Sequence, residues 1–232
     1  MICVSLKARD TRDALEQMHS LLGEADLVEL RLDMMERWDL GRLLGEKRLP
    51  VVITLRKKEE GGGFWGDDGE RLAILKEAVK FGADFLDLEL KGAKNILAEL
   101  KEQVSTSGGG TRFIVSSHNW TYTPQLPALK RLVKKCWALG ADISKIVTNA
   151  LRPQDNLITM QLVSWGEKEG IPTISFCMGE LGRPSRIMAP LLGAPFTYAS
   201  IREGMELAPG QLTLEEVKRA LDILRGSHDR RS

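Results

Sequence analysis

The 232-residue chain lacks a long apolar run, a surplus of either charge and any cysteine framework. No stretch approaches the ~20 apolar residues that a membrane-crossing helix needs, so no membrane partner is expected. Lys and Arg total 33 against 32 Asp and Glu. No net field gathers nucleic acid, which is not expected as a partner either. Cys3, Cys136 and Cys177 are odd in number and scattered through apolar segments. They read as free buried thiols in a reducing compartment. Met1 leads straight into Ile2-Cys3-Val4-Ser5-Leu6, so no signal peptide and a cytoplasmic location are expected. The histidines at 19, 118 and 228 lie far apart, and neither HExxH nor CxxC is present. No metal site is read from that pattern. No Gly-x-Gly-x-x-Gly turn follows the first apolar run, which argues against an open dinucleotide-binding sheet.

What is present is an alternation of short apolar runs with longer amphipathic ones. Strands are expected at 1–6, 27–33, 50–55, 84–90, 112–118, 143–149, 171–178 and 195–200. Helical patterns fall near 11–22, 39–46, 68–82, 92–104, 124–139, 154–169, 183–192 and 212–225. Strand-then-helix repeated eight times is the signature of an α/β fold, the (β/α)8 TIM barrel, as a single domain over 1–226. The polar tail 227–232 is expected to fray. Thr213 with Glu216 forms a capping box in sequence, Gly82 and Gly140 suit helix C′ positions, and Pro124 and Pro153 suit first turns. Trp38, Trp137 and Trp165 are expected in core or interhelix packing. Two loops stand apart: 59–66, which joins glycines to Phe64 and Trp65 and reads as a lid, and 201–211, ending Ala208-Pro209-Gly210-Gln211.

The chemistry gathers at the strand C-terminal ends, where barrel enzymes build their sites. Lys145 lies mid-strand in Asp142-Ile143-Ser144-Lys145-Ile146-Val147-Thr148-Asn149. A lysine there either pairs with a carboxylate or serves as an amine nucleophile, since a desolvated amine loses its proton readily. Glu29, Arg31 and Asp33 are spaced by two and are expected on one face. Arg56, Asp87, Glu89 and His118 sit at neighbouring strand ends, with Arg183 and Arg186 beyond the seventh. The carboxylates and arginines suit an internal charge network as well as a ligand site. Met178 reads as pocket-lining packing, and Arg186 as either an anion binder or the partner of a nearby carboxylate. An amine, a base and guanidinium groups suit a small hydroxylated anionic ketone. From residues alone this stops at an imine-forming lyase or a class I aldolase, with a non-catalytic binding barrel as the non-enzyme alternative.

The set Glu29-Leu-Arg31-Leu-Asp33, Thr54-Leu-Arg56 with Glu60-Gly-Gly, Ser117-His118-Asn-Trp, Lys145 and Ala208-Pro-Gly-Gln211 resembles type I 3-dehydroquinate dehydratase over nearly the whole chain. The resemblance implies a lyase that turns 3-dehydroquinate into 3-dehydroshikimate in the shikimate pathway of aromatic amino-acid biosynthesis. It implies no metal and no cofactor, and a homodimer. By the same resemblance Lys145 is the Schiff-base lysine, His118 the general acid/base and Glu60, rather than the adjacent Glu59, its carboxylate partner. Ser5, Glu29, Arg31, Arg56, Met178, Arg186 and Gln211 are implied to bind substrate, Arg186 through its carboxylate. Leu207 stands where the family often has serine, and the loop Tyr198–Gln211 is about two residues longer than expected.

Overall fold

Eight short runs of β-branched residues and leucine become parallel strands in the computed structural model, which describes residues 1–226. They are β1 (Ile2–Leu6), β2 (Leu27–Arg31), β3 (Val51–Thr54), β4 (Phe85–Glu89), β5 (Arg112–His118), β6 (Ile143–Asn149), β7 (Thr173–Met178) and β8 (Thr197–Ser200). Helices α1 (Thr11–Ser20), α2 (Leu40–Gly45), α3 (Asp68–Lys80), α4 (Ala93–Ser107), α5 (Leu126–Ala138), α6 (Asp155–Lys168), α7 (Arg183–Met188) and α8 (Leu214–Arg225) follow them in strict alternation. The sheet runs β7-β6-β5-β4-β3-β2-β1-β8. It curls into a nearly closed (β/α)8 barrel whose seam lies between β7 and β8. Phe176 and Tyr198 face each other across that seam, ring centroids 6.2 Å apart.

Two cores follow from the two-residue period of the strands. Outward-facing Val4, Leu6, Val28, Leu30, Ile53, Leu86, Val115 and Ile146 pack with the helix faces. Inward-facing Cys3, Leu27, Val52, Phe85, Ile114, Ile143, Ile174 and Phe196 fill the barrel floor. Polar and charged residues then occupy the inward positions nearer the strand C-termini, so the site rests on an apolar floor. All three cysteines are free and buried. Among the described residues no helix is long and apolar enough to cross a membrane.

Several expected boundaries move for physical reasons. The second strand stops at Arg31, and Leu32–Met34 form a 3-10 turn, so Asp33 does not share the face of Glu29. Its carboxylate instead takes the fork of Arg31, at 2.9 and 2.7 Å, and the Gly63 amide at 3.0 Å. The seventh begins at Thr173 because Pro172 has no N–H to donate, although its carbonyl accepts from Ser144. Pro124 and Pro153 precede their helices instead of opening them, and Pro127 occupies the first turn of α5. Trp137 is largely exposed, not packed between helices. The capping box at Thr213 and Glu216 forms, and Gly82 and Gly140 adopt positive φ. The tail expected to fray, 227–232, lies outside the described residues.

Candidate active site

The strand C-termini surround a cleft of about 560 Å³, its open mouth included, lined by residues from Ser5 in β1 to Gln211 after β8. Lys145 is buried at its base and is the one lysine in the lining among the described residues. Its Nζ lies 2.9 Å from Asp87 Oδ2, 3.7 Å from Glu29 Oε1 and 4.0 Å from the centre of the Tyr198 ring. The parallel register sets this arrangement. Lys145 pairs with Ser116, which is level with Glu89, while Asp87 is level with Thr54.

Around the amine the charges are satisfied in a network. Glu29 accepts from Ser5 Oγ at 2.7 Å and Thr54 Oγ1 at 2.9 Å. Arg56 donates to Asp87 at 2.9 Å and to Ser116 at 2.8 Å, and Ser116 donates onward to Asp87 at 2.6 Å. Burial alone would raise the Asp87 carboxyl, but Arg56 and then Lys145 hold it well below the usual range. Glu89 belongs to the wall: it takes Arg71, buried beside Leu55, and the Lys57 amide. Of the two readings of this charge set, Asp87 and Glu89 are network members outside the lining, whereas Glu29, Arg31 and Arg56 reach the cleft.

His118 ends β5, and its Nδ1 lies 3.3 Å from Glu60 Oε2. The neighbouring Glu59 points to solvent, so Glu60 is the partner. Glu60 is placed by a tight turn in which Gly62 donates to Lys57 and Phe64 to Arg56. A Cβ on Gly62 would strike the Arg56 carbonyl, so the turn requires glycine there. Burial, and next the Arg56 and Lys145 cations, push the imidazole well below its ordinary pKa. Burial also lifts the Glu60 carboxyl to about 7, with Arg56 opposing and Glu89 and Asp87 assisting. Between pH 4.5 and about 7 folded Glu60 therefore holds a proton that the unfolded chain has released. Its contribution to stability is present below 4.5 and is lost as pH rises through 7. Glu60→Gln should remove that loss. The variant should gain stability relative to wild type across this window, by about 3 kcal/mol at most. Denaturant midpoints compared at pH 4.5 and 7.5 check the sign.

The far wall comes from β7, α7 and the loop after β8. Arg186 sits in the last turn of α7, buried, with its guanidinium 4.4 Å from the Phe176 ring. Among the described residues the carboxylate partner considered for it is not there: its hydrogen bond goes to the Pro209 carbonyl at 3.3 Å, and Nε finds no protein partner. Burial without a counter-charge lowers it to about 10, so it stays cationic at neutral pH. Arg183 instead pairs with Glu180 at the surface. Gln211 is buried, and its side-chain oxygen accepts from the Leu207 amide at 2.8 Å. Ser5, Met178, Leu207 and Gln211 all line the cleft. Where a sugar-phosphate aldolase would need a phosphate cradle, Gly210 packs directly on the backbone of Gly179. Lys145, His118, Glu60, Ser5, Glu29, Arg31, Arg56, Met178, Arg186 and Gln211 thus line one cleft, whereas Asp33, Asp87, Glu89 and Arg183 do not. Sequence reasoning assigned nothing to Trp120, Phe176 and Tyr198, which also line it. The inward phase of β7 and β8 was the available signal for the last two.

A family model for Type I 3-dehydroquinase matches residues 2–228. The chain belongs to the type I 3-dehydroquinase family. It is 38% identical over 230 residues to a 3-dehydroquinate dehydratase of Methanopyrus kandleri, covering 97% of this chain and 100% of the relative. It is 37% identical to that of Thermococcus onnurineus, with 97% and 98% covered. Among solved structures, 3-dehydroquinate dehydratase from Geobacillus kaustophilus superposes with a TM-score of 0.87 at 25% identity, covering 99% of this chain and 92% of the other.

Proposed function

We propose that this enzyme dehydrates 3-dehydroquinate to 3-dehydroshikimate, the shikimate-pathway step, through an imine on Lys145. Family membership supports the hydro-lyase activity. The carrying observation is the enclosure of one amine with the His118–Glu60 pair in a single cleft. Lys145 adds to the substrate ketone, two of its three ammonium protons leave with the carbonyl oxygen as water, and the resulting protonated imine acts as an electron sink. The carbon beside the former carbonyl becomes acidic. His118, kept neutral by its surroundings, takes that proton and returns it to the departing hydroxyl, so that water is lost. Hydrolysis of the imine releases product and restores the amine.

Ser5, Glu29, Arg31 and Arg56 present hydroxyl, carboxylate and guanidinium groups for a polyhydroxylated ring, with Met178 as an apolar wall. Arg186, a buried cation lacking a carboxylate partner among the described residues, would take the substrate carboxylate in a two-pronged contact. Gln211 would bind from the loop after β8. The buried free thiols support a reducing, cytoplasmic setting, and a homodimer is carried over from the family resemblance.

Turnover of 3-dehydroquinate, followed by the absorbance of the conjugated product, tests the reading, and an enzyme inert to that substrate would overturn it. Arg186→Ala should raise KM by about ten- to a hundredfold, the scale of a lost charge-assisted hydrogen bond. Gln211→Ala should raise it by roughly three- to tenfold, as for a neutral one. Equal effects would remove Arg186 from its role.

A further inference from the structure

Tyr198 is the feature of the site that neither the charge network nor the proton-transfer pair explains. It lies in β8 level with Cys3 and is 3% exposed. Its ring is fixed from two sides, by Phe196 at 5.4 Å with planes 63° apart and by Phe176 across the seam. Its hydroxyl makes no hydrogen bond to a protein group among the described residues. A phenol held this way is not there to tie two strands together. Burial, and then Glu29, raise its pKa well above the ordinary value, so it remains neutral and electron-rich. What it presents to the cleft is a ring face, with the Lys145 nitrogen 4.0 Å above its centre.

We propose that the Tyr198 ring is a cation platform that supports the Lys145 nitrogen in its protonated-imine state. The inference rests on the reading of Lys145 as the imine-forming residue. Its logic comes from counting N–H groups. As an ammonium, Lys145 has three donors, and Asp87 at 2.9 Å and Glu29 at 3.7 Å both face it. To react, the nitrogen adds to the carbonyl carbon and gives up two protons, which leave with the carbonyl oxygen as water while the C=N bond forms. The protonated imine keeps the full positive charge with a single N–H. Asp87, the nearer acceptor, can hold that N–H, but the remaining directional contacts are gone.

The attraction of a ring face for a cation needs no N–H and survives the change. Lys145 is 5% exposed and Tyr198 3%, and such an attraction is stronger where the two groups are shielded from bulk solvent. Tyr198 therefore supplies a larger share of the stabilisation of the imine than of the resting ammonium. A preference of that kind raises the population of the reactive intermediate and not merely the stability of the free enzyme.

The experiment measures the fraction of Lys145 trapped by borohydride during turnover, alongside kcat. Wild type must trap substrate mass on Lys145. Failure there overturns the imine reading itself, and the platform with it. Given trapping in wild type, Tyr198→Leu should lower the trapped fraction and kcat by about tenfold, equivalent to about 1.4 kcal/mol. Tyr198→Phe, which restores the ring without the hydroxyl, should recover most of that loss. Phenylalanines at position 198 carrying progressively more ring fluorine keep the shape and weaken the face. Across that series the logarithm of the trapped fraction should fall steadily while KM changes little. A flat series overturns the platform even where Tyr198→Leu is impaired, because loss of packing alone would not follow ring electron density. If the leucine variant does not fold, the fluorinated series decides the matter by itself.

Discussion

Lys145→Ala should lose about 10⁶-fold in kcat, the scale on which removal of a covalent nucleophile is felt. Borohydride in the presence of 3-dehydroquinate should no longer attach substrate mass to any peptide, whereas wild type should carry it on the peptide containing Lys145. The size of the effect follows from the geometry, because among the described residues no second lysine lines the cleft to take over the chemistry. The substitution also removes a cation from beside Asp87 and Glu29. Asp87 retains Arg56 and Ser116, so the folded state should survive with reduced stability; taking one partner from a buried ion pair costs about 3–5 kcal/mol. Circular dichroism and the denaturant midpoint separate a folded, inactive enzyme from an unfolded one. An adduct on another residue of a still-active variant would contradict the assignment of Lys145.

His118→Ala should behave differently, with a loss of roughly 10²–10⁴ in kcat, as for a missing general base, and with imine formation retained in part. The amine and its carboxylates sit on β6, β4 and β2, and none of the contacts to Lys145 passes through the imidazole. Trapping in this variant should therefore catch substrate, not product, because the step that stalls is removal of the proton. The pH profile should change as well. In wild type, His118 and Glu60 share a buried environment, and their protons leave as properties of the pair. With Glu60 held near 7 by burial, activity should rise through that region as the pair reaches its base form. Glu60→Gln should flatten the acid limb while leaving the adduct on Lys145 intact. Near-wild-type turnover in His118→Ala would contradict the role given to the histidine.

The parts of this site that could be read from sequence are those whose chemistry conflicts with their setting. Lys145 stood out because it is the one charged residue of a buried, β-branched strand, and Glu29 and Arg31 because charges on an inward face demand partners. The eight-fold alternation gave the barrel for the same reason, since strand and helix periods differ and each run showed one of them. Asp33 was misplaced because the two-residue period continues in sequence after the backbone has turned away, drawn toward Gly63 and the fork of Arg31. Glu59 and Glu60 are equivalent as letters, and the turn locked by Gly62 chooses between them. Arg186 could be flagged as an anion binder, but the lack of a carboxylate beside it among the described residues is a property of folded neighbours from three elements. Tyr198 was invisible for the opposite reason. An aromatic residue in a buried strand looks like ordinary core until the amine is seen above its face.

The seam between β7 and β8 has a consequence for how substrate enters. No strand ladder joins these two among the described residues. Above them the Pro209 carbonyl accepts both the Gly179 amide, at the end of β7, and the guanidinium of Arg186. The loop after β8 thus works as a latch across the gap, and its fastening point is the cation proposed to hold the substrate carboxylate. The same guanidinium keeps its Nε without a protein partner among the described residues, so a carboxylate could be taken there while the Pro209 contact is kept. One buried side chain would then both fasten the wall and hold the anion.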